Sequence, residues 1–131
     1  MSQRKAVIID DEPDVTTYLG AILTDAGWRV RTANSADDGL ALAEKEVPDA
    51  ILLDMMMPER GGLSALVALR KNPQTSAVPI VIVSGIQETL TADFRTFLSR
   101  FKYRKPDAFL DKPVDPDELV ATLDRLTTVT D

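Results

Sequence analysis

The segment Ala50-Ile51-Leu52-Leu53-Asp54 is apolar at every position until it stops on a carboxylate. A run without alternation is what a central strand covered on both faces requires, and three other segments repeat the design. Val7, Ile8 and Ile9 end on Asp10 and Asp11, residues 80–83 end on Ser84, and residues 108–110 end on Asp111 and Lys112. Read as parallel strands, the four runs deliver their polar ends to one edge of one sheet, the edge at which open α/β sheets bind ligands. The carboxylates of Asp10, Asp11 and Asp54, the Ser84 hydroxyl and the Lys112 ammonium then converge on one pocket.

Helix-like patterns separate the runs. Val15, Tyr18, Leu19, Ile22, Leu23 and Ala26 form one apolar stripe, closed by Gly27, the residue type that ends helices at left-handed backbone angles. A short strand over residues 28–33 follows. Asn34 or Ser35 then caps a helix carried by Leu40 and Ala43 that must stop before Pro48. Leu63, Leu66, Val67 and Leu69 make a short helix after Gly61 and Gly62. Leu90, Phe94, Phe97, Leu98 and Phe101 make a fourth amphipathic stripe. The last helix has Asp115 as N-cap, Pro116 in first position and Glu118 three residues after the cap, with Leu119, Val120, Leu123 and Leu126 on its buried face. Five strands alternating with five helices, joined by right-handed crossovers, give a three-layer α/β/α sandwich.

Composition narrows the chemistry. A chain of 131 residues with 44% hydrophobic content is one domain: residues 1–131, with a core over 4–126 and a tail over 127–131. The formal charge of -6 opposes general attraction to nucleic acid or anionic membrane. Neither cysteine nor histidine occurs, which removes thiol chemistry, imidazole acid/base catalysis and most zinc sites. Reactivity must rest on oxygen ligands and lysine. The first apolar stretch, residues 6–9, is too short for a signal peptide, and nothing approaches the roughly 18 apolar residues of a membrane span. A cytoplasmic location is the expectation.

Taken singly, these polar residues also have plain structural readings. Asp10 or Asp11 could be helix caps, Ser84 a turn residue, Lys112 a solvated charge. Taken together, the acidic pair Asp10 and Asp11, the Asp54-Met55-Met56-Met57-Pro58 segment with Gly62 downstream, Ser84 at the end of a strand, and Asp111-Lys112-Pro113 resemble a response-regulator receiver domain, the phosphoacceptor module of two-component signalling. The resemblance runs along essentially the whole chain. It implies a five-stranded parallel sheet of flavodoxin-like order 2-1-3-4-5, with Asp54 as phosphoacceptor. It also implies Mg²⁺, or Mn²⁺, held by Asp10, Asp11, Asp54 and the backbone carbonyl of Met56. Lys112 and Ser84 would contact the phosphoryl group, and Ser84 and Phe109 would form a packing switch, although core filling is the plainer reading of Phe109. Met56 and Ile86 would tune the lifetime of the acyl phosphate. The phosphodonor would be a histidine kinase or phosphotransfer protein. The output partner is unnamed, and neither membrane nor direct nucleic-acid binding is expected.

The interval from Ser84 to Lys112 is longer than in most members of that family. It contains Arg100, Phe101, Lys102, Tyr103, Arg104 and Lys105, a mixture of cations and aromatics that suits either an acidic partner or a solvated loop with Phe101 in the core. The expected function is a phosphorylation-controlled interaction module rather than an enzyme. Its signal would switch the surface around the fourth helix, the loop after it and the fifth strand. The alternatives are an excised receiver of a longer regulator, an aspartyl-phosphate phosphohydrolase, which would often carry a second acid where Met56 stands, and a nucleotide-binding domain, whose glycine patterns are missing.

Overall fold

The computed structural model describes residues 3–55, 57, 61–85, 96 and 99–127. Its strands are β1 (Lys5–Ile9), β2 (Arg29–Ala33), β3 (Ala50–Leu53), β4 (Ile80–Ser84) and β5 (Ala108–Asp111). Four helices are described: α1 (Pro13–Asp25), α2 (Ala36–Lys45), α3 (Gly62–Lys71) and, last in the chain, α4 (Pro116–Thr127). All pairings are parallel and the order is β2-β1-β3-β4-β5. The expected helix over residues 90–101 falls mostly outside the described residues. At its end, Thr96 and Ser99 have helical backbone, and the Arg100 N–H donates to the Thr96 carbonyl at 3.3 Å.

Because successive side chains of a strand point to opposite faces, the unbroken apolar runs split into two cores. Val7, Ile9, Ile51, Leu53, Ile80 and Ile82 face the side covered by α2 and α3, where Ala43, Leu66 and Leu69 meet them. Ala6, Ile8, Leu52, Val81 and Val83 face α1 and α4 and pack on Leu19, Leu23, Leu119 and Leu123. Trp28, expected to open β2, instead precedes it and fills the second core at 2% exposure. Its indole is too large for the exposed pattern that β2 shows as an edge strand.

The helix ends follow their sequence signals. Ser35, not Asn34, caps α2, its Oγ accepting from the Asp38 N–H at 3.2 Å. Asp115 caps α4 through the Glu118 N–H at 3.0 Å. Gly27 has φ +93°, and beyond it the Trp28 N–H closes α1 by donating to the Leu23 carbonyl at 2.9 Å. Among the described residues no helix is long and apolar enough to cross a membrane.

Candidate functional site

The strand ladder sets the site in register. Ile9 pairs with Leu53, so Asp10 and Asp54 leave the sheet side by side, and the Asp54 N–H donates to the Ile9 carbonyl at 2.9 Å. Ser84 pairs with Asp111, and the next residue, Lys112, donates its N–H to the Ser84 carbonyl at 2.9 Å. The side chains then meet. The Lys112 Nζ lies 3.0 Å from Asp10 Oδ2 and 3.4 Å from Asp54 Oδ1.

Asp10 and Asp54 are 1% and 3% exposed, and carboxylates that deep need a compensating charge. Lys112 supplies it. Burial opposes the ammonium's own charge, but the bond to Asp10 and the charges of Asp54 and Asp10 outweigh burial, holding the pKa above its ordinary value. The lysine is therefore protonated at neutral pH.

Asp10 also does the plainer structural work. Its Oδ1 accepts from the Glu12 N–H at 3.0 Å and its carbonyl accepts from Asn34 Nδ2 at 2.9 Å. Together these fix the turn into α1, whose N-cap residue, Glu12, makes no side-chain cap of its own. One carboxylate oxygen is left to face Lys112.

Asp10, Asp11 and Glu12 each present a carboxylate oxygen, and these oxygens lie within 4.8 Å of one another. An oxygen-only donor set with surplus negative charge suits a hard divalent cation such as Mg²⁺. Sequence reasoning did not single out Glu12, although the unbroken run Asp10-Asp11-Glu12 was the signal for it. Asp54 is not part of this trio; it is joined to it through Lys112. Met56, expected to offer its carbonyl, and Ile86 lie outside the described residues.

Ser84 is fully buried, and its Oγ has no hydrogen-bond partner among the described residues. A buried hydroxyl without a partner is costly in a resting protein and useful where an acceptor oxygen is due to arrive. Phe109 sits on β5 opposite Ile82 and is 43% exposed, so it does not fill the core. Gly62 approaches the loop after Asp54 so closely that a Cβ there would collide with the Asp54 carbonyl and Met55 Cα. Its N–H donates to the Met55 carbonyl at 3.1 Å.

Beside the acidic edge, Val15, Tyr18, Leu19, Pro113 and Val114 line an apolar recess of about 220 Å³ with Lys112 at its rim. Tyr18 is pinned there by donating its hydroxyl to the Val114 carbonyl at 3.0 Å. In the basic segment, Phe101 packs on the first core and stands edge-on to Tyr103 at 5.7 Å. Arg104 donates to the Ala77 carbonyl and pairs with Asp107, which makes both residues structural.

Comparison with known proteins matches this arrangement. Residues 6–124 fit the family described as response regulator receiver domain. Protein PilH of Pseudomonas aeruginosa is 36% identical over 119 residues, spanning 91% of this chain and 93% of PilH. The chemotaxis protein CheY4 of Vibrio cholerae superposes with a TM-score of 0.84 at 26% identity, over 95% of this chain and 99% of that one. The receiver domain of the sensor histidine kinase PA1611 from P. aeruginosa, solved with a magnesium ion coordinated in its active-site cleft, superposes with a TM-score of 0.83 at 26% identity, over 96% and 98% of the two chains. With the strand order, the acidic edge and these relatives in agreement, the chain belongs to the response regulator receiver domain family of two-component signalling.

Proposed function

We propose that the protein, as one receiver module over residues 1–131, accepts a phosphoryl group on Asp54 and uses it to control binding of an output partner. The observation that carries this reading is the Lys112 ammonium held between Asp10 and Asp54 on the strand edge that also carries the buried hydroxyl of Ser84, unpartnered among the described residues. A phosphohistidine of a kinase or phosphotransfer protein is the donor. An Asp54 carboxylate oxygen attacks phosphorus, the P–N bond breaks, and the imidazole leaves. Such transfer needs in-line positioning and charge stabilisation more than covalent help.

Asp10, Asp11 and Glu12, with Asp54 and the Met56 carbonyl, would hold a Mg²⁺ ion, which when bound supplies neutralisation of phosphoryl oxygens. Lys112 moves from bridging carboxylates to pairing with the new phosphoryl group, and Ser84 donates its hydroxyl to it. The apolar recess around Tyr18 and Val114 borders this edge and gives the donor protein a surface to rest on. Drawing Ser84 toward the phosphoryl group changes the end of β4, and exposed Phe109 on neighbouring β5 repacks with it, so the signal reaches the outer face of that edge of the sheet.

Met56 and Ile86 lack a strong donor or acceptor to hold a hydrolytic water, so the phosphorylated state is long-lived and turnover as a phosphatase is slow. The module works in the cytoplasm. The test is incubation with acetyl phosphate followed by intact mass. Wild type should gain one phosphoryl group only with Mg²⁺, and Asp54→Asn none. Labelling that survives the substitution or the removal of Mg²⁺ would sink the assignment.

A further inference from the structure

At the end of the sheet opposite the acidic edge, β1, β2 and the last turn of α2 enclose a recess of about 280 Å³. Its lining includes the apolar side chains of Val7 of β1, Leu42 of α2 and the buried Pro48. Its rim is basic, with Lys5, Arg29, Arg31 and Lys45 against one lining carboxylate, Glu46. Four cations against one carboxylate line this small cavity in a chain whose formal charge is -6.

Glu46 is already committed. It lies 3.0 Å from the Lys5 Nζ and 3.6 Å from the Arg29 guanidinium, and the Lys5 bond, then the charges of Lys5, Arg29 and, least, Arg31, hold its carboxyl below the usual range. Arg31 and Lys45 take part in no ion pair among the described residues. Arg31 reaches Glu46 only through the weakest of these charge effects, so both cations can face a ligand.

A plainer explanation covers part of this. β2 is an edge strand, and charged side chains on an edge discourage pairing with other chains. That accounts for Arg29 and Arg31 on β2. It does not account for the recess between strand and helix, for its apolar lining, or for Lys45 reaching the same rim from α2. An apolar pocket with a few convergent polar groups is instead the form of a small-molecule site.

We propose that this recess binds a small organic anion with an apolar body, of the aromatic or branched carboxylate class. The apolar part rests on Val7, Leu42 and Pro48, and the anionic head lies between Arg31 and Lys45. The volume of about 280 Å³ lies at the lower end of ligand pockets, which begin at roughly 300 Å³, so the ligand is small. A wider recess beyond Leu42 and Lys45 runs toward Asn34 and Asp38, where the Asp38 carboxylate repels an anion and keeps its head at the Arg31 end. Lys5 and Asp10 stand at opposite ends of β1, so the ligand leaves the phosphoacceptor edge free. The proposal is independent of phosphorylation.

The probe is 1-naphthoate, titrated into the full chain while amide chemical shifts are followed. Saturable shifts confined to residues 5–7, 29–31 and 42–48 are expected, with uncharged 1-naphthamide at least tenfold weaker. Arg31→Ala/Lys45→Ala should weaken naphthoate at least tenfold without changing the melting temperature, and Asp54→Asn should bind as wild type. Shifts scattered over the surface, equal affinity for the amide, or an unaffected double variant would overturn the site. So would a response only to phosphatidylglycerol vesicles or to a polyglutamate peptide, which would assign the basic rim to a membrane or an acidic chain instead.

Discussion

The Arg70 guanidinium, with a side chain fully shielded from solvent, lies 3.1 Å from the Asp107 carboxylate and ties the end of α3 to the loop that feeds β5. Its other N–H groups donate to the carbonyls of Ser76, Val78, Arg104 and Lys105 at 2.7 to 3.2 Å. A guanidinium has five N–H donors, and all five are satisfied. Burial draws its pKa below the ordinary value, and Asp107 partly restores it. Asp107 in turn accepts from the Ile80 N–H at 2.8 Å, so one ion pair fixes the starts of both β4 and β5. Those strands end at Ser84 and Asp111, and the position of Lys112 depends on them.

Replacing Arg70 with methionine should therefore cost about 3 kcal/mol, because it strips one buried and three part-buried carbonyls and a carboxylate of their donor. Arg70→Lys should recover less than half of that, since an ammonium has only three N–H groups and no planar fork. Urea unfolding followed by the fluorescence of the sole tryptophan, Trp28, measures both. A loss under about 1 kcal/mol in the methionine variant would show that water replaces the guanidinium.

Gly62 makes a second prediction. A Cβ at this position runs into main-chain atoms of Asp54 and Met55, which cannot rotate away as a side chain could. Gly62→Ala should destabilise by about 1–3 kcal/mol, the usual cost of overpacking, and should slow phosphorylation by acetyl phosphate because the loop after Asp54 is displaced. Gly61→Ala is the control, since nothing lies within 4 Å of its missing Cβ. Equal effects in the two variants would remove the steric argument.

The strands that carry the site were legible because their apolar runs do not alternate, and the caps because Ser35, Asp115 and Pro116 have local duties. Asp10, Asp54, Ser84 and Lys112 could be placed on one edge because parallel strands end on one side. What could not be read was pairing at a distance. Nothing local marks Arg70 as buried rather than as the solvated cation of a helix's last turn, and nothing local ties it to Asp107. The same holds for Tyr18, whose hydroxyl meets Val114 far along the chain. Phe109 could have filled the core by its type, but its strand is an edge and the ring is left 43% exposed. Glu12 was overlooked because two aspartates already met the expected pattern.

Lys112 sits where a cation would compete with it. Its ammonium bridges Asp10 and Asp54, so a divalent ion held as proposed by these carboxylates would meet a positive charge already paired with them. At a few ångströms and the screening of a partly exposed site, that repulsion is on the order of 1 kcal/mol. Lys112→Ala should thus bind Mg²⁺ severalfold more tightly while accepting phosphate more slowly, as titration calorimetry and intact mass would record. Weaker Mg²⁺ binding in the variant would mean that the lysine organises the carboxylates more than it opposes the metal.

Ser84 allows stability and signalling to be separated within one substitution. Its hydroxyl is fully buried and has no hydrogen-bond partner among the described residues, so in the unphosphorylated protein it contributes the cost of an unsatisfied polar group, about 1 kcal/mol or more, and no compensating bond. Ser84→Ala should consequently be as stable as wild type or more so, which is the reverse of what loss of a structural hydroxyl would produce. With beryllofluoride as the phosphoryl mimic the order should invert. Wild type should gain a bond from Ser84 to the bound beryllofluoride and the variant should not, so the variant's melting temperature should rise less. Its β4 and β5 amides, those of Phe109 included, should also shift less. A variant that is destabilised in the free state, yet responds to beryllofluoride as fully as wild type, would make Ser84 a packing residue and place the switch elsewhere.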